Sequence, residues 1–142
     1  MPLSKCRHYL ALTLAAAALP LQAHHSDAML DTTRQIELVG HVAGFEAGSP
    51  HATLSVEIRT GYRFIDGSPE TVTWEIELPP VGELVRSYGI DAMTFTAGDP
   101  VRIVALPHRR ADQKYAKALR ITASHGREYV FGTGHGRLVS QL

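Results

Sequence analysis

The sequence has little cysteine, few aromatic residues and no excess of charge of either sign. Among its 142 residues there is one cysteine, aromatic residues make up 7%, and 14 basic residues balance 14 acidic ones. That balance provides no strong field of one sign, so nucleic acid and anionic membranes are not the expected partners. Because the single cysteine, Cys6, lies near the amino terminus, the rest of the chain offers no disulfide, zinc-thiolate site or thiol nucleophile. The length fits one domain.

The amino-terminal segment has the pattern of a cleavable secretory signal. Lys5 and Arg7 form a basic start, an apolar stretch runs over residues 9–19, and the segment ends at Ala23, a small residue of the kind that signal peptidase accepts. The apolar stretch is shorter than the roughly 20 residues that cross a bilayer, so a retained anchor is the weaker alternative. We therefore expect removal of residues 1–23, a periplasmic or secreted mature protein, and no membrane anchor after cleavage.

Along the remaining chain apolar residues alternate with polar ones, which is typical of half-buried strands. The apolar residues of the five runs are Ile36, Leu38 and Val42; Ala52, Leu54, Val56 and Ile58; Val72, Trp74, Ile76 and Leu78; Val101, Ile103 and Ala105; and Leu119, Ile121 and Ala123. A turn at residues 46–50 joins the first two runs into a hairpin. We expect Trp74 to lie in the core, and Glu75 and Glu77 to lie on a solvated face.

Between the third and fourth runs the period changes to that of a helix. Val81, Leu84, Val85 and Tyr88 are spaced to share one helical face, and Gly89 is placed to end the helix. Three strands, a short helix and two strands follow the order of an OB-type fold. We therefore predict an all-β domain with one short helix, folded as a five-stranded, OB-like, partly open barrel, with a small β-sandwich as the alternative.

The predicted barrel occupies residues 36–131 and has a segment without a strand pattern on each side. Residues 24–35 form an N-terminal arm, and residues 132–142 are expected to be a flexible C-terminal tail. A glycine-rich run over residues 132–136 is not expected to hold a phosphate, because no helix follows it.

Short motifs spread over the mature chain resemble those of a family of small exported bacterial proteins of unknown function. The motifs are Ala23-His24-His25-Ser26, Gly40-x-Val42, Pro50-His51, Trp74-Glu75, Gly98-Asp99-x-Val101 and Gly126-Arg127. Members of that family usually read Asn-Pro-His where this chain has Ser49-Pro50-His51. The resemblance implies export and a single β domain, and it implies no activity.

The sequence contains none of three common catalytic motifs, namely the Gly-x-Ser-x-Gly elbow, His-Glu-x-x-His and the Walker loop. Glu75 and Glu77 stand two residues apart on one strand face, as a general acid and base could. Without a pocket to raise one pKa, however, a solvated sheet face is the favoured interpretation. We therefore expect a binding module rather than an enzyme.

The histidines carry the remaining chemical signal. If cleavage follows Ala23, His24 becomes the mature terminus, and its free amine and imidazole can together chelate Cu(II), which heads the divalent series for nitrogen ligands. His51, beside the hairpin turn, is the candidate partner, and His25 is a further candidate ligand. If Phe45 pairs with His51, His41 lies about 13 Å from His51 along the strand and cannot share the metal.

These observations predict an exported β-barrel protein that binds a small ligand, a metal or a protein, with a Cu(II) site at His24, His51 and His25 as the specific hypothesis. We expect a monomer that does not bind nucleic acid. Two alternatives stay open. One is a copper-dependent redox or hydrolytic enzyme component, and the other is a purely structural or protein-interaction domain.

Overall fold

A computed structural model describes residues 25–132 and 137–140 of the chain. Its elements are mostly strands, with short helical segments before β1 and after β3. In chain order they are α1 (His25–Met29), β1 (Arg34–Glu46), β2 (Ala52–Arg63), β3 (Pro69–Leu78), α2 (Val81–Glu83), a π-helical segment (Leu84–Tyr88), β4 (Pro100–Pro107), β5 (Tyr115–Thr122), β6 (Glu128–Val130) and β7 (Arg137–Ser140).

The strand pairings form a ring of five strands. Four of its pairings are antiparallel: β1 with β2, β2 with β3, β4 with β5, and β1 with β4. The fifth pairing, between β3 and β5, is parallel and completes the ring. The predicted mostly antiparallel β fold with a short helix is therefore confirmed at that level. Two short strands lie outside the ring, since β6 extends β5 and β7 pairs parallel with β1. Residues 137–140 of the predicted flexible tail are thus a strand, whose parallel partner in β1 could not be identified from local pattern.

The core fills the inside of the ring with the residues that the period-two pattern predicts to be buried. Leu54, Ile76, Ile103 and Ile121 are fully buried, and Trp74 is 8% exposed. Burial of aliphatic and aromatic side chains is the main term that stabilises such a domain. This interior is continuous across all five strands of the ring.

The helical connection is also at its predicted position, with a different internal geometry. Gly89 ends it in the left-handed conformation, with φ +66°, and its N–H donates to the carbonyls of Leu84 and Val85. Leu84 is fully buried, but Val85 is 50% exposed. The residues predicted to share one helical face are therefore not buried alike, and the segment from Leu84 to Tyr88 is π-helical, with a wider turn than an α-helix.

The hairpin register differs from the predicted one. Phe45 pairs with Leu54 rather than with His51, and His41 pairs with Glu57 beyond an irregularity between Val42 and Gly44. The loop between the two strands bonds to the segment after β3, where the Val81 N–H donates to the Gly48 carbonyl over 3.1 Å. His51 therefore lies just before β2, outside the backbone pairing of β1 and β2 and beside that segment.

Candidate ligand pocket at His51 and Glu77

A cavity of about 470 Å³ opens beside the hairpin turn, between β3, β5 and the N-terminal segment. Its apolar wall is formed by Leu30, Leu78, Leu106, Leu119 and Phe131. Its ionisable lining residues are Asp27, His51, Glu77, Glu83 and Lys117. Small-molecule and cofactor sites have this combination of an apolar wall with a few convergent polar groups.

Glu77 is the most unusual of these residues because it is buried. Its side chain is 2% exposed, whereas Glu75 on the same strand is exposed. The prediction that both carboxylates are solvated was therefore wrong for Glu77. The cause is the parallel neighbour, since β5 places Tyr115 opposite Glu75 and Lys117 opposite Glu77, and both β5 side chains contact the Glu77 carboxylate.

The two oxygens of Glu77 have different surroundings. Oε2 accepts a short hydrogen bond from the Tyr115 hydroxyl. Oε1 is buried without a hydrogen-bond partner, one of two such side-chain atoms among the described residues. Two basic side chains lie close to Oε1, with His51 Nδ1 at 3.5 Å and Lys117 Nζ at 3.8 Å. A buried oxygen without a hydrogen bond is costly, and these two basic side chains are the contacts that offset the cost.

Tyr115 is fixed as a hydrogen-bond donor in this arrangement. Burial first, and then the hydrogen bond to Glu77 and the negative charge of that residue, raise the pKa of the Tyr115 phenol above its usual range. The phenol therefore keeps its proton and continues to hold Oε2. Oε1 is the carboxylate oxygen that has no hydrogen bond, and it lies near His51 and Lys117.

Lys117 connects the pocket to the N-terminal segment. Its Nζ lies 2.7 Å from Asp27 Oδ1, a residue of α1, and 3.8 Å from Glu77 Oε1. The rest of the segment is fixed close by: the Asp31 N–H donates to the Pro107 carbonyl, and Leu30 is 1% exposed. The chain therefore enters the fold beside the pocket that contains His51.

The predicted metal ligands are distributed as follows. His51 lies at the pocket with its side chain 42% exposed. The backbone of His25 begins α1, and His24 lies outside the described residues. His41 lies farther from His51 than the predicted register implied. Its partner Glu57 is six residues from His51, or about 20 Å along a strand.

Sequence reasoning missed Glu77 and Tyr115, and the reason is topological. In the sequence Glu77 occupies the same alternating pattern as Glu75, and both residues pair with β5. The side-chain contacts of Glu77 with Tyr115 and Lys117 distinguish it from Glu75, and the pattern does not show those contacts. A weak signal was the charge order, because Lys117, two residues before the first apolar residue of the fifth run, could face a carboxylate.

Within residues 25–132 and 137–140, no three His, Cys, Asp or Glu residues are grouped closely enough to hold a metal ion. The same residues include no helix long and apolar enough to cross a membrane.

Comparison with known proteins gives a family and no activity. The model of a family of unknown function, DUF6152, matches residues 11–116 of the chain. Neither a curated protein nor a solved structure matches the sequence.

Proposed function

We propose that this chain, which belongs to the DUF6152 family of unknown function, is an exported protein that binds Cu(II) between its mature N-terminus and His51. The proposal includes signal cleavage after Ala23 and an OB-like, partly open barrel formed by the five-stranded ring. One observation supports it above the others. Asp27, close to the predicted new terminus, and His51, from a hairpin far along the chain, line the same cavity.

Chain length makes this arrangement feasible. His24 precedes Asp27 by three residues, so the two Cα atoms are at most about 11 Å apart. Asp27 Oδ1 lies 2.7 Å from Lys117 Nζ, which is 3.8 Å from Glu77 Oε1, and that oxygen is 3.5 Å from His51 Nδ1. An N-terminal histidine three residues before Asp27 is therefore within reach of His51.

The chemistry of the donors favours copper. A terminal amine and the imidazole of the same residue form a chelate, and nitrogen donors bind Cu(II) more tightly than the other first-row divalent ions. The pocket also carries an excess of negative charge, with Asp27, Glu77 and Glu83 against Lys117. That excess favours a cation.

A second candidate follows from the apolar wall. The cavity volume of about 470 Å³ lies within the range of small-molecule sites, and its wall is mainly aliphatic. A small organic cation, with its charged group at Glu77 and its apolar body along Leu78 and Leu119, would also fit. Native mass spectrometry of the exported protein separates the two, since copper and an organic ligand add different masses.

The test of the copper proposal is a Cu(II) titration of protein exported by its own signal, with intact mass confirming a start at His24. His24→Ala, His51→Ala and one added residue before His24 should each weaken binding strongly, because each removes a donor. His25→Ala should have a smaller effect than His24→Ala, because the chelate is at the first residue. His41→Ala is the matched histidine control, and equal affinity across the whole set would contradict the proposal.

A further inference from the structure

The hairpin of β2 and β3 extends beyond the ring as an arm of residues 58–72. The pairing of β2 with β1 ends at Glu57, and the pairing of β3 with β5 begins at Glu75. Among the described residues, the strand pairings of the arm are those between β2 and β3 themselves. The turn that joins the two strands, residues 64–68, is the tip of this arm and lies at its far end from the ring.

The tip exposes two large apolar side chains in succession. Phe64 is 58% exposed and Ile65 is 110% exposed. Hydrogen bonds inside the turn fix its backbone, since the Phe64 N–H donates to the Ser68 carbonyl and the Gly67 N–H donates to the Phe64 carbonyl. Among the exposed large apolar residues of the described part of the chain, these are the only two that are adjacent. An ordered, exposed apolar pair of this kind is typical of an interaction site.

We infer that the tip inserts into the pocket beside His51 of a second copy of the chain, so that copies associate head to tail. The pocket offers a volume of about 470 Å³ and a wall that includes Leu78, Leu119 and Phe131. A cavity of this volume accommodates a drug-sized molecule, and two adjacent side chains are smaller than that. The apolar wall would cover the surface that the tip otherwise exposes to water.

The insertion has to be between two molecules, because the tip and the pocket lie at opposite ends of the same strand. β3 begins at Pro69, just after the tip, and ends at Leu78, which lines the pocket. The nine residue steps between them span about 30 Å along a strand. A tip therefore cannot reach the pocket of its own chain. An apolar patch that fits a pocket elsewhere on the same molecule produces a ring or an open chain of copies.

The charges around the two parts are complementary. Arg63 lies beside the tip, and its Nη1 donates to the Gly67 carbonyl over 2.8 Å, which holds the guanidinium at the turn. The Asp66 carboxylate is used inside the turn, where it accepts from the N–H and the hydroxyl of Ser68. The pocket lining has an excess of carboxylates, and Glu83 is an exposed one. The arginine that enters with the tip therefore meets the opposite charge.

This inference goes beyond the proposed function and does not rest on it. It uses the apolar wall of the pocket and the exposed Glu83, and no metal takes part in the contact. Two side chains and one ion pair make a small interface, and interfaces of small area are weak and transient. We therefore expect a dissociation constant of about 10 μM to 1 mM.

The test measures the mass of the full mature protein in solution by sedimentation velocity, from about 10 μM to 1 mM. A chelator is present, so the result is separate from that of the copper titration. The mass of wild type should rise with concentration, and a wild type that stays monomeric throughout would overturn the inference. Ile65→Ser should weaken association by about tenfold or more, because the burial of an isoleucine side chain is lost. Met93→Ser is the matched control, since Met93 is 82% exposed away from the tip, and it should associate as wild type does.

A mixing experiment distinguishes insertion into the pocket from contact between two tips. Gly132→Trp should block the pocket, because Gly132 lines it and a Cβ there would lie 3.6 Å from Leu119 Cδ2. Circular dichroism checks that this variant is folded. Ile65→Ser and Gly132→Trp should each be monomeric alone, while their equal mixture should form pairs and nothing larger, because one supplies the pocket and the other the tip. Association of Gly132→Trp by itself would overturn insertion into the pocket.

Two further comparisons test the charge pairing and the partner. Arg63→Glu and Glu83→Arg should each weaken association, and the double variant should restore it, since the two charges are exchanged. Failure of the double variant to recover would contradict the pairing of these residues. Vesicles of phosphatidylglycerol and phosphatidylcholine test a membrane as the partner. Binding of wild type but not of Ile65→Ser to these vesicles, with wild type monomeric in solution, would overturn association between copies.

Discussion

The Tyr115 hydroxyl should stabilise the metal-free protein, because it is the hydrogen-bond donor to a buried carboxylate. It donates to Oε2 of Glu77, whose side chain is 2% exposed. Hydrogen bonds to charged groups contribute about 1.5–3 kcal/mol, and Tyr115 is only half-buried, so we expect Tyr115→Phe to lower the free energy of unfolding by about 2 kcal/mol. For a domain of this size the melting temperature should fall by about 6–10 °C.

A double-mutant cycle isolates the charged character of that bond. Urea unfolding in the presence of a chelator gives the free energy of unfolding for wild type, Tyr115→Phe, Glu77→Gln and the double variant. With a neutral amide at position 77 the same hydroxyl should contribute only about 1 kcal/mol, which leaves a coupling energy of about 1 kcal/mol. Tyr88→Phe, in a half-buried ring that packs edge-on against Phe131, is the matched control for loss of a phenol hydroxyl. If Tyr115→Phe has the same cost in both backgrounds, the charge-assisted bond is refuted.

Three further predictions test the fold. Gly40→Ala should destabilise the protein by about 3 kcal/mol, because a Cβ there would lie 2.2 Å from the Glu57 carbonyl oxygen; thermal unfolding measures the loss. Trp74, 8% exposed, should show blue-shifted fluorescence that moves to the red only on unfolding. The backbone N–H of Met93 is the largest cause that lowers the pKa of Asp91 below 3.8. The stabilisation that comes from this lowered pKa should be present above pH 3.8 and be lost as pH falls further. The free energy of unfolding of Asp91→Asn should therefore fall less in acid than that of wild type, as unfolding curves at several pH values would show.

The parts of the fold that sequence could predict are those governed by local physics. Alternation places every second side chain of a strand on one face, which is sufficient to identify Ile76 and Ile103 as core residues. Gly89 could be predicted as a helix end because the left-handed conformation favours glycine. In these cases the relevant interaction spans only a few residues of the chain.

The register of the hairpin could not be predicted in the same way. The observed register has an irregularity between Val42 and Gly44, and the turn bonds outside the hairpin, where the Val81 N–H donates to the Gly48 carbonyl. Gly and Pro in the sequence mark the turn but do not say what the turn bonds to. As a result His51 was correctly placed near the turn, while its pairing with Phe45 was wrong.

The N-terminal segment adds to the surroundings of Glu77 that β5 provides. The bridge between Leu30 and His108, and the hydrogen bond from the Arg109 N–H to the Met29 carbonyl, hold that segment over the connection between β4 and β5. The segment brings Asp27 to Lys117, next to the carboxylate that Tyr115 orients. Strand alternation cannot predict this, because the covering residues come from outside β3 and its sequence neighbours. A glutamate in the polar half of the alternating pattern thus becomes a buried one at the place where the N-terminal segment packs against β5.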